Sequence, residues 1–343
     1  MKLENRNSAG LIPPVVTPQE RKTETSSPMA GVKKFFARDA TALLLALALM
    51  MAVFTILTPL FMSVPNMLNI ARAAAISGIT CAGMTLAIIA GMIDMSIGAT
   101  TNLSVVVTGL AALKLGLNPW AAMACGLAVG VAVGAVNGLL ITKVRINPLI
   151  ATLGTMGIGT GIAFLLTNGI SAGITDKAFS ILGRTLVLGV PTPVIVLAVV
   201  YVLTFFVLRY TQFGRAVYAV GGNPVAARLA GINVDRWRFL IMIWCSFWAA
   251  FSGIVLLSKL GTMIPNAATG TELNIIAAVI LGGTSLAGGA GSIQGTLVGI
   301  LILSTLQNGL VMLNVNAYWQ QIASGCALLL AVGIDQLRTG GYK

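Results

Sequence analysis

The 343-residue chain is 57% hydrophobic and only 9% charged, with 21 Lys and Arg against 9 Asp and Glu, a net charge of +12 and no His. An average soluble domain carries roughly 25% charged residues, so this composition excludes a water-exposed globular surface and points to one membrane domain. The positive charge does not mark a nucleic-acid binder, because the basic residues stand at the ends of apolar runs rather than on one polar face or among aromatics.

In chain order, residues 1–38 mix Pro13, Pro14, Pro18 and Pro28 with Ser, Thr, Glu, Lys and Arg, too little apolar surface to offset the entropy of ordering. A disordered cytoplasmic tail is expected there, followed by a membrane domain over 39–343. The first apolar stretch begins too far from the N-terminus for a signal peptide, so it is read as a retained span. Apolar stretches at 40–60, 71–91, 96–113, 120–142, 148–167, 190–209, 239–259, 273–286, 292–313 and 318–336 predict about ten segments, all but the short one at 273 near the roughly 20 residues a crossing needs. The fold class is therefore an all-α polytopic helix bundle. The stretches at 71 and 273 are interrupted by Gly and polar residues and are expected to be broken or re-entrant.

With the N-terminus inside, only Arg72, Lys114, Lys177, Arg184 and Lys259 fall on the outer side, so both termini are predicted to be cytoplasmic. Cys81, Cys125, Cys245 and Cys326 lie in apolar segments without CxxC spacing and read as small core residues. Gly126, Gly130, Gly134 and Gly138, and likewise Gly154, Gly157 and Gly161, have spacings that let helix backbones approach closely. Asn137-Gly138-Leu139 and Asn308-Gly309-Leu310 hint at an inverted repeat.

Three clusters could carry chemistry. Gly91-Met92-Ile93-Asp94-Met95-Ser96-Ile97-Gly98 places a carboxylate near the cytoplasmic mouth of a span, either as a functional acid or as the cap of the next helix. The loop at 210–238 encodes a short helix: Asn223 as N-cap, Pro224 in its first position and Gly231 as the left-handed stop. Two turns are unstable alone, so this helix is expected to be a lever for a peripheral partner, or else to lie on the membrane with Arg215 and Arg228 at the headgroups. In Gly270-Thr271-Glu272-Leu273-Asn274 and the glycine-rich run to Gly291, Glu272 suits a helix N-terminus. No GxxxxGK[ST] cradle is present, so the chain is not expected to bind ATP itself. The lack of His, of HExxH and GxSxG, and of close carboxylate pairs argues against an enzyme. Asp94, Glu272 and Asp335 fall near predicted span ends, which disfavours ion coupling within the bundle.

From Asn66 to Asp335 the chain resembles the permease subunits of bacterial ATP-binding-cassette importers for monosaccharides, the ribose, arabinose, xylose and allose group. The resemblance rests on residues 91–96, Pro148-Leu149-Ile150-Ala151-Thr152-Leu153-Gly154, Phe213-Gly214-Arg215, Gly221-Gly222-Asn223, Ala226-Ala227-Arg228-Leu229-Ala230-Gly231 and Gly282-Gly283-Thr284-Ser285-Leu286-Ala287-Gly288-Gly289. It implies an inner-membrane homodimer or pseudo-dimer, cytoplasmic ATPase subunits that bind ATP and Mg, and a periplasmic sugar-binding protein. It makes Gly214, Arg215, Gly222, Asn223, Pro224, Ala227, Arg228 and Gly231 the coupling element. Met95 stands where the family often has Leu, and Asn274 where it often has Asp. Asp94, Ser96, Asn102, Asn137, Thr155, Thr160, Glu272, Asn274 and Asn308 are the passage candidates, with satisfaction of neighbouring backbone as the alternative role. The competing reading is a self-sufficient secondary carrier or channel; within the importer reading, a nucleoside, polyol or sugar-like signalling molecule competes as cargo.

Overall fold

A computed structural model describes residues 28–174 and 176–339. The disordered tail expected at 1–38 lies outside the described residues as far as residue 27, as do both chain ends and the Asp335 side chain; helix α1 spans Pro28–Leu57. The described residues from Asp39 onward form one compact unit.

Six helices are long and apolar enough to cross a membrane: α2 (Val64–Ile89), α4 (Pro119–Thr142), α5 (Pro148–Thr167), α6 (Thr192–Tyr210), α9 (Val234–Leu260) and α11 (Ile293–Met312). Shorter apolar helices are residues 41–57 of α1, α3 (Ile97–Leu113) and α10 (Thr271–Leu281). Between α6 and α9 lie α7 (Gln212–Gly222) and α8 (Pro224–Leu229), and α12 (Ala317–Thr339) follows α11. The fold is an all-α membrane bundle. Its strands, among the described residues, are two small antiparallel ladders: β1 (Ala172–Gly173) with β4 (Thr262–Met263), and β2 (Leu186–Val187) with β3 (Val190–Pro191).

Local chemistry explains where helices start. Asn118, Asn147 and Asn223 each precede a Pro, and their side-chain oxygens accept the backbone N–H of Ala121, Leu149, and Val225 and Ala226 respectively. The Pro takes a position whose missing N–H would have found no helical partner.

The centre of the bundle is α9, against which α2, α3 and α4 all pack. In lipid there is little hydrophobic gain from joining helices, so close backbone packing and buried hydrogen bonds must hold them. Both are present. A Cβ at Gly134 of α4 would lie 2.6 Å from Ile243 Cα, and one at Gly130 would lie 2.6 Å from the Ser246 carbonyl oxygen. On α3, the Thr101 hydroxyl donates to the Ala249 carbonyl at 3.0 Å and the Ser104 hydroxyl to that of Ala250 at 2.9 Å. From α9 itself, Ser252 donates to the Ile76 carbonyl of α2 at 2.7 Å.

Two expectations change. The stretch at 71–91 is not broken: α2 is continuous, and Gly83 within it accommodates the α9 backbone at Cys245. The stretch at 273 does contain only the short α10, which ends at a glycine-rich turn. The cysteines also divide, with Cys81 and Cys245 buried in the core while Cys125 is half-buried and Cys326 exposed.

Replacing Gly134 by Val should force α4 and α9 apart and destabilise the folded protein by about 1–3 kcal/mol, as overpacking does. A thermal-shift measurement in detergent checks this, and an unchanged midpoint would mean that the spacing is not set at Gly134.

Candidate coupling and translocation sites

The chain turns from α2 into α3 at residues 90–96, where Asp94 and Ser96 are fully buried. Asp94 Oδ1 accepts the Ser96 backbone N–H at 2.8 Å and the Ser96 hydroxyl at 2.5 Å, while Oδ2 accepts the Ser246 hydroxyl at 3.4 Å. The Asn137 amide of α4 donates to Ser96 Oγ at 2.9 Å, and the Thr155 hydroxyl of α5 donates to Asn137 Oδ1 at 2.7 Å. A single chain of donors thus runs from half-buried Thr155 through Asn137 and Ser96 to the carboxylate.

The expected position of Asp94 at a span's mouth is corrected here. Ser246 stands midway along α9, so the carboxylate lies inside the bundle, with α4, α5 and α9 closing over the turn. On α5 the Thr152 hydroxyl accepts the Met95 N–H at 3.1 Å, and it is within 3.3 Å of the Ile93 carbonyl as donor. The capping role is realised in the bond to the Ser96 N–H. Burial also means that Asp94, Ser96 and Asn137 present no surface to an open passage within one copy of the chain.

Other passage candidates also have structural partners. Buried Asn102 of α3 accepts the Ala268 N–H at 2.7 Å and donates to Thr269 Oγ1 at 3.1 Å, pinning the loop that precedes α10. Glu272 is buried in the first turn of α10, and its carboxyl lies where a Cβ on Gly98 would stand, only 2.7 Å from Cδ. Asn274 is half-buried on the same helix. Asn308 of α11 and Asn66 of α2 exchange reciprocal amide bonds at 2.9 and 3.0 Å. Of the candidates, Thr155 and Thr160 on α5 are only half-buried, and beside them Gly154, Gly157 and Gly161 meet nothing within 4 Å of an added Cβ. The close packing expected of those three glycines is absent among the described residues.

The loop after α6 forms the short helix that Asn223, Pro224 and Gly231 encode, the last with φ of 81°. Ala227 is buried, whereas Val225 and Leu229 are 63% and 86% exposed on one side of α8. Arg228 is exposed and pairs with Asp235 at 3.3 Å; Arg215 is exposed on α7. Gly214 packs against Leu208. Gly222 meets the glycine-rich turn after α10: a Cβ on Gly289 would lie 2.7 Å from Gly222 Cα, and one on Gly288 would lie 2.8 Å from the Gly221 carbonyl oxygen. Gly288 and Gly289 also need left-handed backbone, with φ of 83° and 75°, and Gly289 N–H donates to the Ile89 carbonyl at 2.7 Å. The Tyr218 hydroxyl of α7 adds a bond to the Gly291 carbonyl at 2.9 Å. Two glycine motifs far apart in sequence are therefore a single backbone contact between α7 and the end of α10.

A family model described as the branched-chain amino acid transport system / permease component matches residues 66–332. The chain belongs to this permease family. It is 40% identical over 296 residues to the ribose import permease protein RbsC of Escherichia coli K12, covering 85% of this chain and 92% of that one. The same identity holds over 298 residues against the ribose import permease protein RbsC of Bacillus subtilis, covering 86% and 92%. The L-arabinose transport system permease protein AraH of E. coli K12 is 35% identical over 300 residues, covering 88% and 91%. This permease is thus a multi-pass inner-membrane protein.

Sequence reasoning missed Ser246, Thr152, Asn66 and the exposed pair Val225 and Leu229. Thr152 stood inside a motif without a role of its own, and the last pair carried a signal as an i, i+4 apolar couple in a loop otherwise read through its caps and charges. In the permease, Asp94→Ala should leave the Ser96 and Ser246 donors unpaired and cost about 1–3 kcal/mol, with Asp94→Asn milder because an acceptor oxygen remains. Melting in detergent should rank wild type above Asn and Asn above Ala; a reversed order of the two variants would refute the capping geometry.

Proposed function

We propose that this permease is the transmembrane subunit of an ATP-driven importer that moves a monosaccharide, a pentose or hexose, across the inner membrane by alternating access. The observation that carries the reading is similarity to ribose and arabinose permeases along almost the whole chain. Separate cytoplasmic ATPase subunits bind ATP and Mg, and a periplasmic sugar-binding protein delivers the cargo. The chain supplies about ten membrane segments, both termini are cytoplasmic, and the face bearing Lys143, Arg145 and α8 is the cytoplasmic one.

In this reading α8 is the coupling helix. Its exposed Val225 and Leu229 seat in the ATPase, with Arg228 at the rim, and apolar side chains exposed on so short a helix are what such docking requires. Movement of α8 passes to α7 and through the Gly222 and Gly289 contact to the re-entrant α10. A second copy packs along α5, where Gly154, Gly157 and Gly161 are uncovered, and the passage follows that face past Thr155 and Thr160. Asp94, Ser96, Asn137 and Asn102 then act as supports that position α3, α5 and α10, and Asn308 ties α11 to α2.

The test is co-purification with the ATPase in mild detergent, followed by uptake in proteoliposomes supplied with ATP, the binding protein and a panel of labelled pentoses and hexoses. ATP-dependent uptake of a sugar is expected; uptake without ATP or ATPase would overturn the proposal. Leu229→Glu should weaken ATPase association about 30-fold, the loss of roughly 2 kcal/mol typical of one central interface residue, while leaving the permease folded. Unchanged association would remove α8 from the interface.

A further inference from the structure

A cavity of about 540 Å³ opens between α8, the start of α9 and the connection from α4 to α5. Its walls carry three guanidinium side chains, Arg145, Arg228 and Arg238, against one carboxylate, Asp235. That carboxylate already takes Arg228 at 3.3 Å. Among the described residues, Arg145 and Arg238 have no carboxylate within ion-pair distance, and Arg238 Nε is buried with no hydrogen-bond partner. A buried guanidinium N–H without an acceptor is costly, so the arrangement calls for an anion from outside the chain.

The surroundings identify which kind. Beside the cavity, Val144 and Ile150 are 62% and 64% exposed and Leu149 is 41% exposed. They stand at the end of α4 and the start of α5, two membrane-length helices. A site for a water-soluble acidic ligand has no need of such apolar surface at its border, whereas a phospholipid supplies a phosphate for the guanidinium forks and chains for the apolar residues. We propose that this cavity binds the headgroup of an anionic phospholipid such as phosphatidylglycerol. Because Arg228 belongs to α8 and Arg145 to the α4–α5 connection, one bound headgroup bridges the two and steadies α8 against the bundle. The site lies outside the polar chain that ends at Asp94 and does not depend on the identity of the cargo.

The experiment uses the full chain, purified in mild detergent and stripped of lipid, then offered phosphatidylglycerol or phosphatidylcholine and read by native mass spectrometry. Retention of phosphatidylglycerol at least about tenfold above phosphatidylcholine is expected, lost in Arg145→Gln/Arg238→Gln and kept in Lys143→Gln/Arg236→Gln, since a charge-assisted hydrogen bond is worth about that much. Equal losses in the two double variants would reduce the effect to general surface attraction and overturn the site. Should the first double variant fail to fold, Arg145→Lys and Arg238→Lys keep the charge and remove the fork, and each must lower retention for the proposal to stand. Two further arms identify other sources of the anion. If inorganic phosphate raises the melting midpoint as much as phosphatidylglycerol does, the ligand is a free phosphate; if adding the ATPase expels the lipid, an acidic segment of that partner fills the cavity. Either result overturns the lipid.

Discussion

A peptide group inside a bilayer must find its hydrogen-bond partner within the protein, and this structure is arranged around the places where the chain leaves a helix inside the bundle. There are three. The α2–α3 turn is satisfied by Asp94, Ser96 and Thr152, the loop before α10 by Asn102, and the turn after α10 by its backbone contact with α2 and α7. Each interruption draws its partners from a different helix, so each also fixes how two helices sit against one another. The polar residues that a membrane protein can least easily bury are therefore the ones that set its internal geometry.

This arrangement explains why α9 can serve as the common support. Three helices meet it with small residues and hydroxyls at their points of closest approach, contacts that fix position more specifically than apolar packing alone. By contrast α5 buries only one narrow face, with Ala151, Thr152, Gly159, Ala163 and Thr167 turned inward. A helix anchored along one edge, and joined through Thr155 to the buried carboxylate, is suited to shifting as a body while the α9 centre stays intact.

Between the exposed α8 and the interior, the connection runs largely through backbone, with the Tyr218 hydroxyl adding one bond to the Gly291 carbonyl. Gly221 and Gly222 lie directly against Gly288 and Gly289, leaving no flexible group to absorb a displacement. In the proposed coupling, stiff contacts of this type pass motion on because packed interfaces switch between arrangements instead of deforming gradually. The arginine-lined cavity beside α8 is, on the lipid proposal, a second point from which the same helix is steadied.

Composition and the length of apolar runs determined by themselves that the chain is a helical membrane protein, because each segment's solvent is written in its own residues. The Asn–Pro helix starts and the Gly231 stop were equally legible, since caps depend on neighbours only a few residues away. Motif order along the chain also led to the permease family. Tertiary structure alone decided that Asp94 is enclosed rather than at a mouth, that Asn102 and Asn308 hold other segments, that Gly83 marks a close approach rather than a break, and that the glycines of α5 are uncovered. It also brought Arg145, Arg228 and Arg238 to one cavity. The reason is physical: a hydrogen-bond partner or a contacting backbone lies tens to hundreds of residues away in sequence, and which faces meet is set by packing all the helices at once.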